Sequence, residues 1–284
     1  MWMWLVLLYG VLKGFREIVK KKSMEKSSME EVLFFYTLIG FILVIPSAFH
    51  MEHMPIHYYC YVALKSFLIF VAWICSFKAI KKLPISLYGV LDLSRVLFAM
   101  ILGVVVLGEV LNQFQIVGLV FVCTGLLLLK WKPFAGKNKQ GSGVERIYIL
   151  LAFISCILNA LSGLMDKLLM KEISSSQLQF WYMLFLTIFY FLYLIFSKTK
   201  VNIQGAVTNY WIWILSIMFV IGDKALFIAN GMVESKITIM TLIKQSCCLV
   251  TILAGKIIFK EKQVLYKLFC ASVIVAGIVI SVCK

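Results

Sequence analysis

Residues 84–109 read PISLYGVLDLSRVLFAMILGVVVLGE: one proline, an apolar run broken by the charges of Asp92 and Arg95, and a Leu107-Gly108-Glu109 close. As a helix rising about 1.5 Å per residue, that run is long enough to cross a hydrocarbon core of about 30 Å. A second apolar run containing Gly125 follows it to Leu129. The same layout returns 152 positions later, from Ile237 to Ser281, with Phe259-Lys260-Glu261 at the break and Gly277 where Gly125 stood. The chain therefore reads as one membrane module written twice.

Composition agrees. The chain is 62% hydrophobic and 14% charged, far from the roughly 45–50% and about 25% of soluble domains. Only helices or a closed barrel satisfy their backbone in lipid. Barrel strands would alternate in polarity, whereas runs such as Tyr182–Phe196 are continuous, so the expectation is all-α. The net charge of +15 gathers in short loops between apolar runs and sets orientation, which argues against a nucleic-acid partner. The eight cysteines lie in or beside the spans and form no CxxC pair, so they read as packing residues. The first span, from residue 2, reads as a retained helix and not a cleaved signal.

Ten spans are expected, at about 2–20, 31–49, 57–80, 85–106, 113–131, 147–170, 176–197, 208–231, 237–258 and 264–283. Pro84 suits the start of the fourth, where a missing N–H costs nothing. This divides the chain into a first repeat (1–131), a linker (132–146) and a second repeat (147–284). Five spans per repeat, an odd number, force the two repeats to sit inverted in the membrane. Loops 1–2, 3–4, 5–6, 7–8 and 9–10 hold most basic residues, including Lys20–Lys22, Lys81, Lys82, Lys130 and Lys267. The positive-inside rule places them in the cytoplasm and both termini outside, in a multi-pass protein of the cell membrane.

From Lys78-Ala79-Ile80 through Pro84-Ile85-Ser86 to Leu107-Gly108-Glu109 and Gly118–Gly125, the pattern resembles the EamA-type repeat of the drug/metabolite transporter superfamily. Asn230-Gly231-Met232 to Phe259-Lys260-Glu261 and Gly277 resembles it in the second half. The resemblance implies a ten-helix, two-repeat carrier for a small-molecule substrate. Helices 1, 3, 4, 6, 8 and 9 would line a central cavity, with helices 5 and 10 outside. It also implies both termini in the cytoplasm, against the charge count. The family's mid-helix proline in the fourth and ninth spans is replaced by Val96 and Cys248, which removes a proline cause for a kink there. Small multidrug transporters, to which helices 1 and 6 are similar, hold a membrane carboxylate that Lys13 and Asn159 replace here.

Ionised side chains near a bilayer centre cost about 2.5–3.5 kcal/mol each on insertion scales, so those retained point to function. Lys13, Lys65, Asp92, Arg95, Asp223, Lys224, Lys244 and the neighbouring Gln245 fall inside spans, and Asp166 nearer an end, where snorkelling to the interface explains it. Asp92 and Lys244 are 152 positions apart, so repeat symmetry places them on facing helices. They read either as a charged cavity floor or as a structural bridge between spans 4 and 9. Arg95 lies one turn from Asp92 and pairs with it, or, if Asp92 is committed to Lys244, faces a carboxylate or phosphate. Lys13 has Glu17 one turn away as an alternative partner. The expected substrate-binding set is Lys13, Trp73, Tyr88, Asp92, Arg95, Asp223, Lys224, Lys244 and Gln245, and its positive surplus favours an anionic or zwitterionic substrate.

Two other readings remain. Tyr36, Trp73, Tyr88 and Trp181 could form an aromatic cage for an organic cation, or the chain could be a non-transporting scaffold with a sealed interior. The histidines His50, His53 and His57 share one loop that Pro55 breaks, so an ordinary interfacial loop is favoured over a metal site. No phosphate loop or Ser/His/Asp set occurs, which argues against an enzyme and against ATP. No cofactor is expected, and proton coupling is open to Asp92, Asp223 or Glu17.

Overall fold

A computed structural model describes residues 2–50, 54–107, 113–131, 142–197, 201–232, 240, 243–244, 246–261 and 264–282. Every regular element among them is helical. Among the described residues five helices are long and apolar enough to cross a membrane: Met29–Ala48, Ile56–Lys82, Arg146–Leu169, Ser175–Ser197 and Tyr210–Gly231.

The first repeat holds α1 (Trp2–Ser23), α2 (Met29–Val44), α3 (Ile56–Lys82), α4 (Ile85–Asp92), α5 (Ser94–Leu107) and α6 (Gln113–Trp131). The second holds α7 (Ser142–Leu169), α8 (Ser175–Ser197), a short α9 (Ile203–Thr208), α10 (Tyr210–Gly231), α11 (Ser246–Ile257) and α12 (Val264–Val282).

Local chemistry fixes several boundaries. Ser28 Oγ accepts the Glu31 amide at 3.2 Å, and Glu31 Oε2 accepts the Ser28 amide at 2.8 Å, a capping box that opens α2. At 146 positions further on, Ser174 and Gln177 form the same box at 3.2 and 2.8 Å and open α8. The Asn209 side chain caps α10 through the Trp211 amide and donates to the Ser23 carbonyl, tying α10 to the end of α1.

Helix packing repeats as the sequence does. The α3–α7 contact has its counterpart in α10–α1, the α5–α7 contact in α11–α1, and the α3–α8 contact in α10–α2. Two contacts, α6–α12 and α2–α8, join an element to its own counterpart, and α4–α11 joins the fourth span to the ninth. A two-fold relation between the halves requires this arrangement. It is closest where glycines let backbones approach. A Cβ on Gly125 would meet Ile274 and, at 3.1 Å, the Cys270 carbonyl. A Cβ on Gly277 would meet Phe121, the Gly118 carbonyl at 2.7 Å and the Val122 amide at 3.1 Å. Gly118, Val122 and Gly125 precede Cys270, Ile274 and Gly277 by 152 positions each.

Four boundaries differ from expectation. The fourth span is not continuous: it breaks at Leu93, where Leu93 N–H bonds to Val90 O and Val96 N–H to Leu93 O, both at 3.1 Å. Bonding three residues back instead of four tightens the helix there without a proline. The second span turns into a 3-10 helix, Ile45–His50, where Pro46 disrupts α-helical bonding. The seventh helix begins at Ser142, inside the expected linker. The eighth span starts at Tyr210 and not at 208, because α9 occupies the loop before it. Gly108 and Glu109, and most of the linker, lie outside the described residues.

Candidate functional site

On α1, Tyr9, Lys13, Arg16, Glu17 and Lys20 recur at helical spacing and form one polar stripe. On α7, Asn159, Ser162, Gly163 and Asp166 follow 146 positions after Lys13, Arg16, Glu17 and Lys20. The two stripes border a cavity of about 230 Å³. Lys65, Trp73 and Ser76 of α3 complete one side, and Asp223, Phe227 and Asn230 of α10 the other. Tyr88 and Arg95, on either side of the Leu93 turn, contribute from α4 and α5, Tyr182 from α8, and Met240 and Lys244 from the ninth span. All six helices implied by the family resemblance thus reach the wall, with α8 in addition.

The buried charges are mostly matched. Asp92 accepts from Lys13 Nζ at 2.5 Å and from Arg95 Nη2 at 2.9 Å. Arg16 Nη1 donates to Asp223 at 3.0 Å, and its guanidinium carbon lies 5.0 Å above the Phe219 ring. Lys20 pairs with Glu17 at 2.8 Å. Lys65 Nζ is 2.6 Å from Asp166 and 3.7 Å from the centre of the Tyr182 ring. The Arg16 and Lys65 bridges each take their base from the first repeat and their acid from the second.

Not every polar atom is satisfied. Among the described residues the donors Arg16 Nε and Arg95 Nε, and the acceptors Glu17 Oε2 and Asp166 Oδ1, are buried with no hydrogen-bond partner. Lys244 is part-buried with its ammonium 6.0 Å from the Tyr9 ring centre, and among the described residues it forms no ion pair. Among the described residues, seven cationic side chains line the cavity (Lys13, Arg16, Lys20, Lys65, Arg95, Lys167, Lys244) against three acidic ones (Glu17, Asp166, Asp223).

Six of the nine expected site residues line this space: Lys13, Trp73, Tyr88, Arg95, Asp223 and Lys244. Asp92 is off the wall, committed to Lys13 and Arg95. Of the two readings of Asp92 and Lys244, the bridge between them does not form: Lys13 comes in from α1 and takes the carboxylate, together with Arg95. Glu17, the alternative partner for Lys13, is held by Lys20. Lys224 departs from the site: adjacent to Asp223, it is turned about 100° away on the helix and donates to Ser176 Oγ at 2.7 Å. Gln245 lies outside the described residues.

Arg16, Lys65 and Asp166 are the site residues sequence reasoning passed over or discounted. Asp166 does not reach out to solvent but is buried against Lys65. Lys20 and Lys267, counted as loop charges, are 3% and 1% exposed. The aromatic set does not assemble as a cage. Tyr36 and Trp73 stack with Phe219 at 4.9 and 5.2 Å, around Arg16, while Trp181 packs on Tyr59 and the Tyr88 hydroxyl hydrogen-bonds Ser76. Among the described residues no group of three metal-ligating side chains is gathered; His53 falls outside them.

No curated protein matches the chain. Among 28 matching chains of solved structure is one described only as a crystal structure of a protein. It is similar over 96% of this chain and 97% of its own, with a TM-score of 0.67 at 13% identity, which shows a shared fold. The family model of the EamA-like transporters matches residues 1–131 and again 146–283, the two halves whose glycine seam and capping boxes repeat in space. The chain is therefore a multi-pass membrane protein that belongs to the EamA-like transporter family.

Proposed function

We propose that this chain is a ten-span secondary carrier of the cell membrane that passes a small organic anion across the bilayer. Its two inverted repeats rock about the central cavity and expose it to each side in turn. The observation that carries the choice of an anion is the surplus of positive charge on the cavity wall, above all Lys244, which forms no ion pair among the described residues. Uncompensated charge in a low-dielectric interior is costly, and a bound carboxylate or phosphate offsets that cost.

Arg95 presents the planar fork that such groups bind well. Lys244 supplies a second charge, Tyr88 and Asn159 offer neutral hydrogen bonds, and Trp73 forms an apolar wall. The acids considered for proton coupling, Asp92, Asp223 and Glu17, are each held in an ion pair. That supports transport driven by the anion's own gradient. Lys21, Lys22, Lys81 and Lys82 mark the cytoplasmic end in this reading.

Thermal melting of the purified protein with succinate, inorganic phosphate or choline tests this. A ligand at 100 times its dissociation constant stabilises the native state by about 2.7 kcal/mol. Succinate or phosphate should raise Tm, and Lys244→Ala should abolish the rise while leaving the unliganded Tm close to wild type. A rise with choline alone would overturn the reading.

A further inference from the structure

Lys65 is the most deeply buried cation on the cavity wall, 1% exposed. Its ammonium sits 3.7 Å from the centre of the Tyr182 ring, 4.8 Å from that of Phe227 and 2.6 Å from Asp166. Two aromatic rings and a carboxylate around one ammonium are the elements by which proteins recognise amine ligands. The receiving residues come from three helices of the second repeat, α7, α8 and α10, while the ammonium arrives from α3 of the first. All four residues line the cavity, so the recess opens directly onto it. A bridge serving only to join helices would need the acid and base alone; this one is built like a receptor.

We infer that the Tyr182–Phe227–Asp166 recess is an ammonium site occupied in cis by Lys65, and that Lys65 determines specificity by keeping amine-bearing solutes out of the carrier. A tethered ammonium competes at an effective concentration in the millimolar range or above, which a free amine must exceed to enter. Arg16 fills the comparable place against Phe219 and Asp223 across the cavity. The inference rests on the cavity being the substrate site and narrows its cargo. Anions without an amino group, such as dicarboxylates, oxo acids or phosphate esters, are admitted, and amino acids are refused.

Lys65→Ala removes three carbons and the nitrogen, the dimensions of propylammonium. Purified Lys65→Ala and wild-type protein are melted with propylammonium chloride and, as control, sodium chloride at equal ionic strength. Propylammonium should raise the Tm of Lys65→Ala saturably and leave the wild type unmoved, and the added substitution Asp166→Asn should remove the response. No response in Lys65→Ala, or an equal response in wild type, overturns the inference. Should Lys65→Ala fail to fold alone, propylammonium during purification should restore its yield, and an unchanged yield overturns the inference as well. Failure of the anion reading is separate: it appears as a wild type indifferent to succinate and phosphate, whatever propylammonium does to Lys65→Ala.

Discussion

Glu261 Oε1 accepts the Ile85 amide at 2.6 Å, so a carboxylate from the second repeat closes the first turn of a helix in the first. Its other oxygen accepts from the Ser86 amide at 3.3 Å, the Ser86 hydroxyl, and Lys267 Nζ at 3.1 Å. The free N–H groups at a helix start favour such an anion. Burial opposes ionisation of Glu261, but the Ser86 hydroxyl, the Lys267 ammonium and the Ile85 amide outweigh it and hold the carboxyl below its ordinary 4.5.

A carboxyl with a depressed folded-state pKa contributes stability above the unfolded value and loses it as pH falls through the folded one. Glu261→Gln should therefore melt below wild type at pH 7, and the gap should close below about pH 4.5 as the wild-type carboxylate itself protonates. Thermal melts at pH 7, 5 and 3.5 check this; a gap independent of pH would contradict it.

Lys260 has φ of 48°, in the left-handed region, at the position where the first repeat carries Gly108. A Cβ there costs about 1 kcal/mol. Lys260→Gly relieves that strain but gives back about 0.4–1 kcal/mol through the freer unfolded chain, so it should stabilise the protein by no more than about 0.6 kcal/mol, read as a small rise in Tm.

Gly125 and Gly277 hold image positions in the α6–α12 seam, so a side chain at either meets the same obstacle. Gly125→Leu and Gly277→Leu should each destabilise by about 1–3 kcal/mol, as overpacking does, and by similar amounts. Gly163, where an added Cβ would meet nothing within 4 Å, is the contrast: Gly163→Ala should gain about 0.5 kcal/mol from helix propensity. Denaturant titration of the three variants decides, and a large asymmetry between the seam glycines would speak against the two-fold relation.

Asp92 serves two cations, so its loss strands both. Asp92→Ala should destabilise by about 3–5 kcal/mol, the range for breaking a buried pair. Adding Lys13→Met should recover part of that loss. A double-mutant cycle on Tm measures the coupling, and additive effects would show that the 2.5 Å contact contributes little.

The repeat was legible because duplication leaves landmarks at fixed offsets: Gly125 and Gly277, and the breaks at Leu107-Gly108-Glu109 and Phe259-Lys260-Glu261. Six site residues were legible because charge inside an apolar run is rare. What failed was partner choice. Sequence offset places Asp92 and Lys244 on facing helices but says nothing of Lys13, which enters from a third helix. Arg16 and Lys20 were hidden by their position near the basic end of α1, where cations ordinarily serve orientation. The stripe from Tyr9 through Lys13, Arg16 and Glu17 to Lys20 was the available signal, since one-turn spacing puts all five on one face. Asp223 and Lys224 show the converse, two adjacent charges whose difference in helical phase brings only the first to the cavity.

The tightened turn at Leu93 divides the fourth span between Asp92, the last residue of α4, and Arg95, in the first turn of α5. The 2.9 Å pair these two make thus straddles a joint. Any flexing at that joint would swing the guanidinium relative to a carboxylate that Lys13 keeps in place, so loosening Arg95 from its tether and tilting α5 would be one movement.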